Sequence, residues 1–478
     1  MGTYFNRLVT DKYQCIAFLI FCLLNFLLFT LSVGKVEDGV FYSATYWNAS
    51  DGQRYWGAAI DLAEHGEFTV QPLDHEPLSR AGPLPAMLFG LPIKLVGFEN
   101  APLLIVIMQC MMLYLMGLLT GTIARQINVS EKLTHGLVVF NPNLVGLAHH
   151  AQSDLIFAFI LTVILYICVR LINEPENIRL KQFVLLGIAA GCLPLARAAG
   201  QYYVLLLPFI LIISFWIRSI RHHINWWRVI QGFVASSVIV MAITFPWALR
   251  NHMVLNDFGL SQSEAIMMRD QYKFLLRLDG VEKSSRSESL QWVVEDYLET
   301  NGLEISCAER FKDAECKNVL SKAYLSAILD RPPHTIVRGL LLSWSTLFFT
   351  GATSRISDYI GVEVSSIHKI LTDDLNGISS IKNYLSVAAR EYGLYMVLFI
   401  PFTLFAVTTR AMGLIGLWKL LKRPTVLPTL VLFILSVGIF VGMYQFIGLS
   451  RYRAPLEPIL MLLAAAVFLP GKNNRADS

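Results

Sequence analysis

Apolar residues fall in runs of roughly 20, the length a helix needs to cross the hydrocarbon core of a bilayer. Lipid offers no partner to free backbone N–H and C=O groups, so each run must be helical or part of a closed barrel. The alternating pattern of barrel strands is absent, which makes the expected fold all-α. The pattern predicts spans near residues 15–33, 102–123, 135–150, 154–172, 183–199, 201–217, 229–249, 391–417, 425–446 and 455–470. This describes a polytopic membrane protein of about ten transmembrane helices, within a range of about 10–12. The first run is longer than the apolar part of a signal peptide and lacks a small-x-small cleavage site followed by soluble sequence, so it is expected to be retained.

Between the spans, 34–101 and 250–390 are the long segments. Within the second, 261–330 has the composition of a soluble domain. Its Leu290, Val293, Val294, Tyr297 and Leu298 recur at helical spacing. Residues 336–352 are apolar but barely long enough to span, and they read as an interfacial or re-entrant helix, with a tightly paired crossing as the alternative. Three parts follow: 1–255, a transmembrane module carrying the 34–101 loop; 256–390, an outer helical region; and 391–478, the C-terminal transmembrane helices.

Charge fixes the expected sides. With the N-terminus inside, the inside segments hold fifteen Lys and Arg against five Asp and Glu, whereas 34–101 holds four against nine. That is the asymmetry of a chain with positive loops in the cytoplasm. It argues against 336–352 as a single crossing, which would put Lys419, Lys422 and Arg423 outside. The composition agrees, with 55% hydrophobic and only 15% charged residues, against about 25% charged in soluble proteins. No basic stripe lies outside the short loops, so nucleic acid is not an expected partner. Five of the seven cysteines lie in apolar runs. Cys307 and Cys316 share the outer soluble region, where an oxidising compartment lets them pair.

Candidate chemistry clusters at the outer ends of the spans. Ser50 and Gln53 have capping-box spacing and predict a helix running to Gly66, with Asp51 in its first turn. The helix dipole alone favours an acid there, and a general base is the functional alternative. Prolines 77, 83 and 85 argue against regular helix across 77–85 and restrict the chain. They hold Arg80 at the mouth of an apolar stretch, where a planar guanidinium either grips a phosphate or snorkels at the interface. His149, His150 and Asp154 lie in a short outer turn. Adjacent histidines point apart on a helix, so they make a weak metal pair. Arg197, Arg250, Arg451 and Arg453 each end or open a span on the outer side, where positive charge is disfavoured and needs a local reason. An anionic ligand is one reason, and pairing with Asp51 or Asp154 is the other. No P-loop or dinucleotide fingerprint occurs. No charge is expected at mid-span, where transporters keep relays.

Asp51-x-x-x-Tyr55-x-x-x-Ala59, Gly66-x-Phe68 and Arg80-x-x-Pro83-x-Pro85 together resemble the first outer loop of the GT-C membrane glycosyltransferases. The nearest groups in that resemblance are the dolichyl-phosphate-mannose protein mannosyltransferases and the aminoarabinose lipid A transferases. Ser153-Asp154, Leu195-Ala196-Arg197, Pro246-Trp247-x-x-Arg250-Asn251 and Arg451-Tyr452-Arg453-x-Pro455 add to it. The resemblance covers about residues 10–255 and returns near 445–470. It departs from the family at Gly52, where a second acid is common, and at Leu84, where a Tyr is usual between the prolines. The resemblance implies a bacterial inner-membrane enzyme whose site faces the periplasm. A sugar would pass from a polyprenyl-phosphate donor to a lipid, glycan or protein acceptor. It makes Asp51 the base and Arg80, with Arg197 and Arg250, the phosphate donors' hydrogen-bonding partners. Tyr55, Arg451 and Arg453 are further site candidates. Asp154 is left with three roles: orienting a neighbour, binding the sugar or holding a divalent cation, no other cofactor being implied. A lipid-linked sugar flippase or transporter, and a polysaccharide polymerase or ligase, are the other classes that fit. A transporter has no need of a base at Asp51.

Overall fold

The computed structural model describes residues 12–33, 51–70, 76–282, 284–303, 307, 314–351, 386, 393–446 and 449–469. The described residues are all-α apart from one pair of two-residue strands, β1 (Thr69–Val70) and β2 (Glu76–Pro77), antiparallel with Thr69 opposite Pro77. Among the described residues six helices are long and apolar enough to cross a membrane: Lys12–Thr30, Ala101–Gln126, Ser153–Asn173, Ala199–Ser219, Trp226–Leu255 and Phe399–Leu421. Pro83–Val96, Leu180–Ala196 and Leu427–Met443 are shorter apolar helices. Together they make a polytopic membrane protein.

In chain order the N-terminal half holds α1 (Lys12–Val33), α2 (Asp51–Glu64), α3 (Pro83–Val96), α4 (Ala101–Gln126), α5 (Glu131–Val139) and α6 (Pro142–Ala148). It continues with α7 (Ser153–Asn173), α8 (Leu180–Ala196), α9 (Ala199–Ser219) and α10 (Trp226–Leu255). Two expectations are corrected here. The helix after Arg80 starts at Pro83, not beyond Pro85, because a proline in the first turn gives up only an N–H that has no intrahelical partner. The span expected over 135–150 is broken into α5 and α6. Asn141 caps the second piece by accepting from the amides of Asn143 and Leu144, and Pro142 follows at its start. That Asn-Pro pair ends one helix and opens the next.

Small residues set the closest helix contacts. A Cβ at Gly187 or Gly191 of α8 would lie within 3.0 Å of Ser236 or Ile243 of α10, the close approach that small residues four apart allow between membrane helices. A buried core of Phe157, Leu161, Leu165, Phe183, Tyr203, Phe215, Phe433 and Phe440 runs through these helices and the C-terminal ones.

A second core lies in α11 (Glu264–Leu278), α12 (Arg286–Thr300) and α13 (Ala314–Leu329). Val293, Val294 and Leu298 are buried in it, with Leu290 and Tyr297 against it, as the helical spacing predicts. Cys307 and Cys316 are disulfide-bonded, with Cα atoms 5.2 Å apart. The apolar 336–352 segment lies largely in one helix, α14 (Pro333–Phe349). Its Gly339 packs between Leu275 of α11 and Phe446, so it joins this second core to the C-terminal helices. These are α15 (Gly393–Leu421), α16 (Leu427–Met443) and α17 (Glu457–Ala465). The last expected span is composite, with 3-10 turns at Ser450–Leu456 and Ala466–Phe468 on either side of α17.

One further expectation fails. Arg410 sits midway along Phe399–Leu421, almost fully buried, and donates to both carboxylate oxygens of Glu457 at 2.8 and 2.9 Å. The same carboxylate accepts from Arg453 and from Asn141 Nδ2. Arg453 also donates to the carbonyls of Leu347 and Thr350, at the end of α14. The Glu457 carboxylate thus accepts from three side chains, the compensation an ionised group needs among apolar helices.

Candidate functional site

Helix α2 presents Trp56, Ala58 and Ala59 to the core, and its Asp61 accepts a 2.6 Å bond from Thr69. That bond ties the helix to β1. Ser50 and the side chains of Asp51 and Gln53 lie outside the described residues, so the capping box does too. The helix begins at Asp51 and ends at Glu64, two residues short of Gly66, which has φ +76°. Tyr55 lies one turn beyond Asp51. Its phenol oxygen accepts a 2.8 Å bond from Ser153 Oγ.

Ser153 opens α7, and Asp154 sits buried in the first turn, where the helix dipole favours its negative charge. Arg197 is the extended residue that closes α8, with φ −159° and ψ 138°. Its guanidinium donates to Asp154 Oδ1. The same guanidinium lies 4.9 Å from the ring centre of Tyr452 and 6.0 Å from that of Tyr444. Those two rings stack at 4.3 Å. Arg451 donates to the Tyr452 hydroxyl at 2.9 Å and also lies 4.9 Å over its ring. Cations over tyrosine faces are attracted by the ring quadrupole, more so away from water. Tyr55, Ser153, Asp154, Arg197, Tyr444, Arg451 and Tyr452, far apart in sequence, therefore form one cluster.

Arg80 lies half-buried in the turn before α3. Gly82 lets this turn close on the end of α8, since a Cβ there would meet the Leu195 carbonyl oxygen at 2.0 Å. Ser261 Oγ donates to the Arg80 carbonyl at 3.2 Å, and the Gln262 amide to Ser79 O at 2.8 Å. Burial first, then the neighbouring guanidiniums of Arg54 and Arg269, hold Arg80 below the usual arginine range, although Glu76 and Asp270 lie near enough to oppose the shift. The group remains a cation at neutral pH. It makes no ion pair among the described residues.

Arg250 is differently placed. It donates to Phe68 O at 2.8 Å, to Leu78 O at 2.9 Å and to Asn251 Oδ1 at 3.0 Å, and it lies 4.8 Å over Trp247. Its fork holds the loop that carries Arg80. Arg453 is spent in the buried network with Glu457. His149 Nε2 faces Asn25 Oδ1 at 2.9 Å and His150 Nδ1 faces Gly146 O at 2.7 Å, so the two rings diverge. Among the described residues no group of three or more His, Cys, Asp or Glu is arranged to hold a metal. Asp154, the cation-holding candidate, has its carboxylate on Arg197.

Glu457, Arg410 and Tyr444 were not singled out from the sequence. An acid four residues after Arg453 inside an apolar run was a usable signal for the first. Tyr444 carries no such mark and becomes visible only through its stacking on Tyr452.

No protein-family model and no curated protein matches the chain. Among solved structures it is similar to the apo oligosaccharyltransferase of Archaeoglobus fulgidus, at 12% identity over 95% of this chain and 50% of that one, with a TM-score of 0.48. It is also similar to AglB of the same organism in complex with an inhibitory peptide and a dolichol-phosphate, at 13% identity, 94% and 50% coverage and a TM-score of 0.48. For ArnT from Cupriavidus metallidurans bound to undecaprenyl phosphate the values are 13%, 94%, 77% and 0.37. The chain spans half the length of the archaeal enzymes. The site is therefore read from its own residues.

Proposed function

We propose that this chain is a GT-C-type membrane glycosyltransferase. In this reading it transfers a sugar from a polyprenyl-phosphate donor to a lipid, glycan or protein acceptor on the non-cytoplasmic face of a bacterial inner membrane. The observation that carries the reading is the convergence of Tyr55, Asp154, Arg197 and Tyr452 in one cluster, beside a loop that holds the Arg80 cation near Arg54.

Asp51 is the base. Helical spacing sets it one turn from Tyr55 on the same face of α2. Its carboxylate takes the proton of the acceptor hydroxyl or amine, whose heavy atom attacks the anomeric carbon. The bond from that carbon to the phosphate oxygen breaks, and one displacement inverts the configuration. The leaving phosphate gains charge, and donors aimed at it lower the barrier. Arg80 takes that task, with Arg54 adding to the local field. Asp154 and Arg197 act as a positioning pair that fixes Tyr452 and the start of α7. Arg250 holds the Arg80 loop. The Lys/Arg asymmetry supports a cytoplasmic N-terminus, 218–228 loop and C-terminus, with 250–390 outside.

Mass spectrometry of the glycolipids and polysaccharides of a strain lacking the protein tests this reading. A sugar-bearing product should disappear while a polyprenyl-phosphate sugar accumulates, and the wild-type gene should reverse both. An unchanged profile overturns it.

A further inference from the structure

The outer helical region contains a cleft that the transfer chemistry does not use. It has a volume of about 400 Å³ and lies between α11, α12 and the end of α13, within the size range of small-ligand sites. Tyr272 and Leu276, one turn apart on α11, form its buried floor. Trp292 of α12 forms a wall and leaves 63% of its surface exposed. Glu288, one turn before Trp292 on the same face, is exposed and makes no hydrogen bond or ion pair among the described residues. Arg331 closes the far side. It is paired with Asp279, donates to the Tyr272 hydroxyl at 2.8 Å and lies 5.2 Å over the Tyr272 ring. These contacts hold the Tyr272 ring and the guanidinium in one arrangement, which lowers the ordering cost of binding.

A ligand for this cleft must present an apolar face to an indole and, at its edge, hydrogen-bond donors to a carboxylate. An acyl chain offers Glu288 no donor, and Arg331, already committed to Asp279 and the Tyr272 hydroxyl, does little to offset the repulsion of a phosphate by Glu288. A sugar ring meets both demands, with C–H groups on one face and hydroxyls around the rim. The cleft is also tied to the transfer site. The chain entering α11 is bonded to the backbone of Ser79 and Arg80, and Tyr272 lies nine residues past Ser263, about 14 Å along the helix.

We infer that this cleft is a saccharide-binding subsite that holds a remote part of the acceptor glycan. The identity of the occupant as acceptor rests on the glycosyltransferase reading; the saccharide chemistry rests on the cleft itself. The test uses the full-length protein in nanodiscs on a printed array of bacterial oligosaccharides, beside a matched array of peptides. Variants are Trp292→Ala, Glu288→Gln and, as a control at the transfer site, Arg80→Ala. Retention of at least one oligosaccharide is expected. It should fall about tenfold or more in Trp292→Ala, as for an aromatic anchor, and less in Glu288→Gln. It should be unchanged in Arg80→Ala. Trp292 is exposed, so its variant should keep the wild-type unfolding temperature, which is measured alongside. Three results overturn the proposal: no oligosaccharide retained, retention indifferent to Trp292, or Trp292-dependent retention of peptides instead. Trp292-dependent sugar binding in a protein whose loss leaves the glycolipid profile unchanged keeps the subsite and removes the transferase reading.

Discussion

Around Glu457 the carboxylate accepts from Arg410, Arg453 and Asn141, and Arg453 spends its remaining donors on the carbonyls of Leu347 and Thr350. The Arg453 and Glu457 side chains are 2% and 0% exposed. Around Asp154 a single guanidinium faces a single carboxylate, and Arg197 stays 17% exposed against the rings of Tyr444 and Tyr452. Both clusters are built of arginine and acid. The first is closed and holds four segments together, namely the break before α6, the end of α14, α15 at Arg410 and the start of α17. The second leaves its arginine partly exposed. The same contrast separates Arg250, whose donors are taken by loop carbonyls, from Arg80, which makes no ion pair among the described residues. In the function proposed above, residue type and place in the sequence do not divide the arginine given to the donor phosphate from the bracing ones. The number of donors already satisfied is the basis of that proposal.

The strongest way to break this comparison is Glu457→Gln. It leaves Arg410 and Arg453 buried without a carboxylate, and losing one partner of a buried pair costs about 3–5 kcal/mol. Thermal unfolding in detergent should show the loss, and whatever protein still folds should keep its specific activity. A variant as stable as the wild type would mean the network does not brace the fold. Asp51→Asn should do the reverse. Transfer should fall about 10²–10⁴-fold, as for a lost general base, while a lost first-turn charge costs only about 0.3–1 kcal/mol of stability. Near-normal transfer would move the base elsewhere, with Asp154 the next residue to replace.

Arg80→Ala is expected to raise the donor concentration needed for half-maximal rate about 10–100-fold, the worth of a charged hydrogen bond of about 1.5–3 kcal/mol. Arg80→Lys should recover only part of it, because the planar fork is lost. Unchanged donor dependence would remove Arg80 from phosphate binding. The smallest effect is expected from Arg250→Lys. Two loop carbonyls each lose a bond worth about 0.5–1.5 kcal/mol, so the unfolding temperature should drop modestly. A selective loss of donor binding there, with stability intact, would reverse the roles given to Arg80 and Arg250.

The apolar runs made the long helices legible, because lipid leaves an exposed backbone no alternative. The charge pattern also drew attention to arginines at the ends of spans, including the possibility that Arg197 pairs with Asp154. Less legible was whatever depended on a partner distant in sequence. Arg250 finds carbonyls at Phe68 and Leu78, far back in the chain, and no spacing rule reports that. Arg410 was hidden by its apolar neighbours, since hydropathy averaged over a window tolerates one charge. The start of α3 was misjudged because three prolines were weighed as a group, whereas Pro83 and Pro85 fall in a first turn that has no amide bonds to lose.

The broken helix bears on how the protein is made. Pieces Glu131–Val139 and Pro142–Ala148 have nine and seven residues, neither long enough to span a bilayer alone. His135 and Asn143 in these pieces and Asn141 between them are buried, and such side chains partition poorly into hydrocarbon. As the nascent chain leaves the ribosome, this segment gives the insertion machinery little reason to release it sideways into lipid. Its burial depends on α17, synthesised some three hundred residues later and carrying the Glu457 that Asn141 bonds. A chain truncated before α17 is therefore expected to be recognised as unfinished by membrane quality-control proteases, which pulse-chase labelling of the truncated chain would reveal as a shortened lifetime.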